Sequence, residues 1–209
     1  MDSLAVALGI ANTMGPTING RSPRAESHKT YMGSVAFTVP EDWGFLNGST
    51  VYAGFVEGFG AAVPSGEDQA NFYVGATLAT PVTGVKVGAS FDYVNDFSPG
   101  GLNLGIARSY AGYVSFQATE KMSLHARAEY ADAFVGLADG DIDPGEGAEF
   151  DVFALTGTVE YDLWKNVLSR LEIRWDHAAD GSEAFGGDTP GSPRKKNEYL
   201  IAANLIYKF

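Results

Sequence analysis

Glu198-Tyr199-Leu200-Ile201-Ala202-Ala203-Asn204-Leu205-Ile206-Tyr207-Lys208-Phe209 is the stretch on which the reading of this chain turns. Counting back by twos from the end gives Phe209, Tyr207, Leu205, Ala203, Ile201 and Tyr199. A β-strand sends alternate side chains to opposite faces, so these six share one side. The row is apolar throughout and aromatic at both ends. The opposite row carries Lys208, Asn204 and Glu198 among apolar residues. Such a strand could end a soluble sandwich, or it could stand where two aromatic levels mark two boundaries. The rest of the chain has to choose.

Composition narrows the choice. The chain has 209 residues, 45% hydrophobic and 12% aromatic, with 26 Gly and no Cys. That length suits one domain, residues 1–209, and the apolar content is far from the disordered range. No run approaches the eighteen or so apolar residues a membrane helix needs, and helical periodicity is sparse. Without Cys there is neither a disulfide scaffold nor a thiolate metal site. A net charge of −12 argues against a nucleic-acid partner, which calls for a basic face. Met1 is not followed by a basic n-region, an h-region and a small-residue cleavage site. An exported protein with this start is expected to be mature, recombinant or a piece of something longer.

Period-2 alternation with β-branched and aromatic content predicts ten strands. They run Asp2–Asn12, Thr30–Val39, Ser49–Phe59, Gln69–Thr80, Gly84–Asn95, Ala107–Thr119, Met122–Phe134, Phe150–Leu163, Val167–Ala178 and Glu198–Phe209. Soluble strands average about five or six residues, whereas a tilted membrane strand needs about nine to eleven. These are the longer kind. Their connections alternate in length. Thr13–Lys29, Gly60–Asp68, Asp96–Ile106, Val135–Glu149 and Asp180–Asn197 are long; Pro40–Gly48, Pro81–Thr83, Glu120–Lys121 and Trp164–Asn166 are short. Short turns at one end and long loops at the other characterise outer-membrane barrels. The alternation puts both termini at the short-turn end. The expectation is an all-β, transmembrane, antiparallel up-and-down β-barrel of about ten strands.

Parity then sorts side chains between two surfaces. In Val167–Ala178, one row reads Val167, Ser169, Leu171, Ile173, Trp175; the other reads Leu168, Arg170, Glu172, Arg174, Asp176. Four consecutive charges of alternating sign do not fit a dry core, because unpaired buried ions are too costly. They fit a wet lumen. Likewise Leu124, Ala126, Ala128, Tyr130 oppose Ser123, His125, Arg127, Glu129, and Val85 to Tyr93 oppose Lys86, Gly88, Ser90, Asp92. Tyr31, Gly33, Val35, Phe37 and Val39 oppose Met32, Ser34, Ala36 and Thr38, while Phe153 to Tyr161 oppose Ala154, Thr156, Thr158, Glu160. The expected lumen set is Lys86, Asp92, His125, Arg127, Glu129, Glu160, Arg170, Glu172, Arg174 and Asp176. The expected aromatic girdle is Tyr93, Tyr130, Tyr161, Trp175, Tyr199, Tyr207 and Phe209, since amphipathic rings favour the headgroup level. Gly33, Gly54, Gly112 and Gly157 are read as outward packing positions. In Ser49–Phe59 both rows would serve outside, and Glu57 tips the odd set inward.

The terminal strand resembles the closing strand of bacterial outer-membrane barrels, where the final aromatic belongs to the signal read by the insertion machinery. The resemblance extends along the chain. Leu4-Ala5-Val6-Ala7-Leu8-Gly9-Ile10-Ala11-Asn12 precedes Thr30-Tyr31-Met32-Gly33; Ala118-Thr119-Glu120-Lys121-Met122-Ser123-Leu124 turns directly into a strand; Ser169-Arg170-Leu171-Glu172-Ile173-Arg174-Trp175-Asp176 leads through a loop to Tyr199…Phe209. Together these look like the OmpL-like β-barrel porin family of Gram-negative bacteria. Family members are longer, with a signal peptide and further strands upstream, so the chain matches a carboxyl-terminal portion or a short relative. The resemblance implies an integral outer-membrane protein. Its partners would be membrane lipid and lipopolysaccharide, the insertion machinery and small solutes, with a homo-oligomer as one option.

Two functions stay open. Passive diffusion of small hydrophilic solutes would use the charged lumen, with rings of charge setting ion choice. A small closed barrel with a salt-bridged interior would use the same residues as a structural or anchoring plug, since eight strands give a filled interior and sixteen to eighteen a channel. An outer-membrane hydrolase is a lesser third reading, resting on His177 with Asp176, Asp180 and Glu183. No enzyme activity and no cofactor are expected. His28, His125 and His177 lack metal spacing. Asp139 to Glu149 spaces carboxylates like the start of a calcium loop, yet Pro144 stands where the loop needs Gly and the closing Glu comes one position early. A solvated acidic loop is the plainer reading. Arg21, Arg24, His28 and Lys29 could meet lipopolysaccharide, though such charges more often keep a loop soluble.

Overall fold

Alternating β-branched and aromatic residues favour a pleated, two-faced surface, and the chain is extended almost wherever that pattern holds. The computed structural model describes residues 3–12, 29–59, 68–97, 105–136, 147–187 and 192–209. The strands are β1 Leu4–Ala11, β2 Thr30–Thr38, β3 Thr50–Phe59, β4 Asp68–Ala79, β5 Val85–Phe97, β6 Gly105–Gln117, β7 Met122–Gly136, β8 Gly147–Trp164 and β9 Val167–Ala178. After them come the two-residue β10 Phe185–Gly186 and β11 Arg194–Lys195, and finally β12 Asn197–Tyr207. β9 has the predicted bounds. β7 and β8, at 15 and 18 residues, outrun theirs on the long-loop side.

β1 to β9 and then β12 form one ten-stranded sheet in chain order, each strand antiparallel to its neighbours. β10 and β11 pair separately; they lie inside what the sequence reads as a plain loop. At the short-turn end, residues 165–166 make the tightest connection, where Asn166 takes φ 74°. Asn tolerates this left-handed conformation better than most residues. The Lys208 N–H donates to the Asn166 carbonyl at 2.8 Å, and the Thr38 N–H donates to Ser3 at 2.7 Å, so both described termini sit at this end. The segment after β2 holds a 3-10 stretch, Glu41–Leu46, not expected from sequence.

β1 and β12 are the edges of the sheet, and they do not pair with each other. The described strands therefore form a curved up-and-down sheet that stops short of closure.

Burial is inverted relative to a soluble sheet. The buried apolar residues among those described are Val39, Ala111, Ala154 and Ala178. Large apolar side chains face outward into the open: Leu8 is 83% exposed, Ile173 54% and Ile201 74%. In β7 the apolar row is exposed while Ser123, His125, Arg127 and Glu129 are half-buried. A sheet with no apolar core has its oily side turned to a surrounding that must itself be oily.

Candidate functional site: the polar inner face

Backbone register aligns the inward residues of neighbouring strands into rows. Nearest the short turns run Ser123, Glu160, Arg170 and Asn204. Next come Lys86, Ser115, His125, Thr158 and Glu172, then Gly88, Tyr113, Arg127, Thr156 and Arg174. Towards the long loops follow Ser90, Ala111, Glu129, Ala154, Asp176 and Glu198. Asp92 lies beyond, between Tyr73 and Ser109. All ten residues expected at the lumen thus lie on one face. That face is concave: a recess of about 340 Å³ is lined by inward residues from Thr77 on β4 round to Arg174 on β9.

Ion pairs tie this wall together. Arg127 bonds Glu129 at 2.7 Å, Arg174 bonds Asp176 at 2.7 Å, Arg170 bonds Glu160, and His125 stands 3.5 Å from Glu160. Glu172 accepts from the Thr158 hydroxyl at 3.1 Å. The Arg–acid pairs at 127/129 and 174/176 run along single strands. Those of Glu160 join adjacent strands. Among the described residues, each pair therefore runs along the wall, with none reaching across the concavity. Among the described residues, Lys86 and Asp92 make no ion pair or hydrogen bond.

Three inward tyrosines were missed from the sequence. Tyr52 stands opposite Gly75, Tyr73 opposite Gly54, and Tyr113 opposite Gly88. Tyr113 covers its partner, since a Cβ on Gly88 would meet the ring at 3.3 Å. Its hydroxyl is 2.5 Å from that of Ser90, and the Arg127 guanidinium lies 5.7 Å above its ring. The available signal was parity: Tyr113 shares its row with Ser109, Ser115 and Gln117.

Two face assignments need correction. Tyr31 pairs with Glu57, Gly33 with Phe55 and Phe37 with Val51, so the odd set of β3 is outward and Tyr52, Gly54 and Val56 are inward. Glu57 sits near the long-loop end of the outer row, opposite Tyr31, as Arg108 sits opposite Tyr93 in an outward pair with Asp132 at 3.5 Å, so a charge there does not mark an inward row. With β3 turned over, Gly54 is inward too. Gly33 remains outward beneath the Phe55 ring.

The expected girdle residues divide between two levels on the outer face. Tyr93, Tyr130, Trp175 and Tyr199 lie towards the long loops; Tyr161, Tyr207 and Phe209 lie towards the short turns. Phe72–Tyr93 and Phe153–Trp175 ring contacts knit the first level, and Tyr207–Phe209 stacks in the second.

The hydrolase grouping comes apart on parity. His177 is outward, at 2.9 Å from Asn197, while Asp176 points inward to Arg174, and Asp180 accepts the Ser182 N–H at 2.8 Å. Among the described residues no cluster of His, Asp or Glu could hold a metal. Most of the acidic stretch Asp139–Glu149, and Arg21, Arg24 and His28, fall outside the described residues; Lys29 donates to Asn12 at 2.7 Å.

Comparison with curated proteins finds no match. A family model does match, over residues 1–209, and its description is a β-barrel porin. The charged concave wall, oily outer surface and alternating connections are what that class requires. The chain belongs to the family described as "Putative beta-barrel porin-2, OmpL-like", and with it comes a general outer-membrane porin role.

Proposed function

We propose that this chain walls a water-filled pore in the bacterial outer membrane through which small hydrophilic solutes diffuse passively. One observation carries the reading: among the described residues, the Arg–acid pairs of the inner face run along the wall rather than across it. A salt-bridged plug needs partners that meet over the interior. Pairs along strands and between adjacent strands leave the middle to water. The inner side chains support this by being half-exposed, with Arg127 at 38% and Arg170 at 36%. In a bilayer the free edges of β1 and β12 would leave backbone groups without partners, each costing several kcal/mol. The conducting form therefore has those edges covered, by each other or by further strands. Lipid and lipopolysaccharide contact the outer apolar rows, and the Tyr199-to-Phe209 row serves the insertion machinery.

The test is conductance. The refolded chain in a planar bilayer should show ohmic steps in KCl, and Lys86→Gln and Asp92→Asn should move the reversal potential in opposite directions. A folded, inserted protein without conductance would support the plug instead.

A further inference from the structure

The inner wall has two chemistries. β5 to β9 and β12 carry the charges, whereas the inward residues of β1 to β3 bear no charge. On that second side lies another recess, of about 460 Å³. Ala7, Gly9, Met32, Gly54, Val56 and Val94 give it an apolar floor. Met32 packs over Gly9, where a Cβ would come within 2.8 Å of its side chain. Tyr73 and Asn71 on β4 and Asp92 on β5 bring polar groups to one side of the recess, and Ser34 stands on the far side, on β2. Among the described residues, no cationic side chain lines the recess.

Asp92 has no hydrogen-bond or ion-pair partner among the described residues. Glu129 and Arg127 act on it electrostatically with opposite sign, and Arg127 is already bonded to Glu129. Tyr73 stands directly opposite Asp92, and its ring folds over Gly75. Tyr73 remains 40% exposed. An unpaired carboxylate beside an exposed aromatic face and an apolar floor matches a cation that carries its own apolar body. A neutral apolar molecule would desolvate the Asp92 carboxylate without compensation. An organic anion would be repelled by it.

Resting on the pore reading above, we infer that this recess is a solute subsite for small organic ammonium ions with an apolar body, held by Asp92 and Tyr73. The volume falls in the range of small-molecule sites, about 300–1,000 Å³.

Binding to the detergent-refolded full chain, measured by equilibrium dialysis, tests it. The probes are benzyltrimethylammonium, benzyl alcohol and phenylacetate. The ammonium should saturate and the other two should bind far more weakly. Asp92→Asn should weaken ammonium binding about tenfold or more, as for a lost charge-assisted contact. Tyr73→Leu should weaken it several-fold, and it carries the test alone if Asp92→Asn fails to fold on a heat-modifiability gel. Equal binding of ammonium and alcohol, or full affinity in either folded variant, overturns the inference. Conductance of the same preparations separates the two readings. A conducting barrel that does not discriminate sinks the subsite alone; a silent barrel that binds ammonium through Asp92 sinks the pore alone.

Discussion

Replacing Ile173 by Arg and, separately, Glu172 by Gln puts two neighbouring positions of β9 to opposite tests. Ile173 lies near the middle of β9, on the outer row between Leu171 and Trp175, with Gly157 and Ile201 as cross-strand neighbours. At that depth an arginine costs about 2–4 kcal/mol in a membrane barrel. Taking about 2 kcal/mol/M for the urea dependence, the unfolding midpoint should fall by about 1–2 M. Glu172 faces the other way and accepts one hydrogen bond from Thr158. Glutamine keeps an acceptor there, and a single half-exposed charge contributes only about 0–1 kcal/mol. The midpoint should therefore move by less than about 0.5 M. Urea titration of vesicle-inserted protein, followed by heat-modifiability, measures both. Equal shifts, or a larger loss from Glu172→Gln, would show that the outer row of β9 does not face lipid and would remove the basis for the pore.

Arg170→Ala should lower stability by no more than about 1 kcal/mol, because its pair with Glu160 is solvent-screened, and should shift the reversal potential towards cation selectivity. A loss of about 3–5 kcal/mol, the signature of a desolvated pair, would instead indicate a closed interior. Tyr113→Leu removes the Ser90 contact and the ring beneath Arg127, with an expected cost of about 1–2 kcal/mol in the same titration; an unchanged midpoint would make that tyrosine structurally idle. Protease added to whole cells should cut between β9 and β12 and spare Glu120-Lys121, whose turn is fastened by Ala118 N–H to Met122 at 2.9 Å. Cleavage confined to the short turns would invert the proposed orientation.

Much of the fold was legible because the side-chain period of a strand is two and needs no knowledge of neighbours. Val167–Ala178 and Met122–Phe134 sort their charges and apolar residues so cleanly that face, strand and even β9's bounds follow from local pattern. The family resemblance rests on the same rows. The inner tyrosines were harder, because an aromatic on a polar row looks like an outward residue until the strand beside it supplies the glycine it covers.

What the sequence determined by itself, then, is the class: long alternating strands, unequal connections and rows that are apolar on one side and charged on the other. What only the tertiary structure decided is everything that depends on pairing. Either row of β3 could face lipid until register set Tyr31 beside Glu57. Which carboxylate each arginine takes is fixed by distances within the sheet, and so is the separation of free Asp92 and Lys86 from the neutralised charges. The physical reason is that alternation is a property of one strand, whereas register, curvature and the recesses they enclose are summed over all its neighbours.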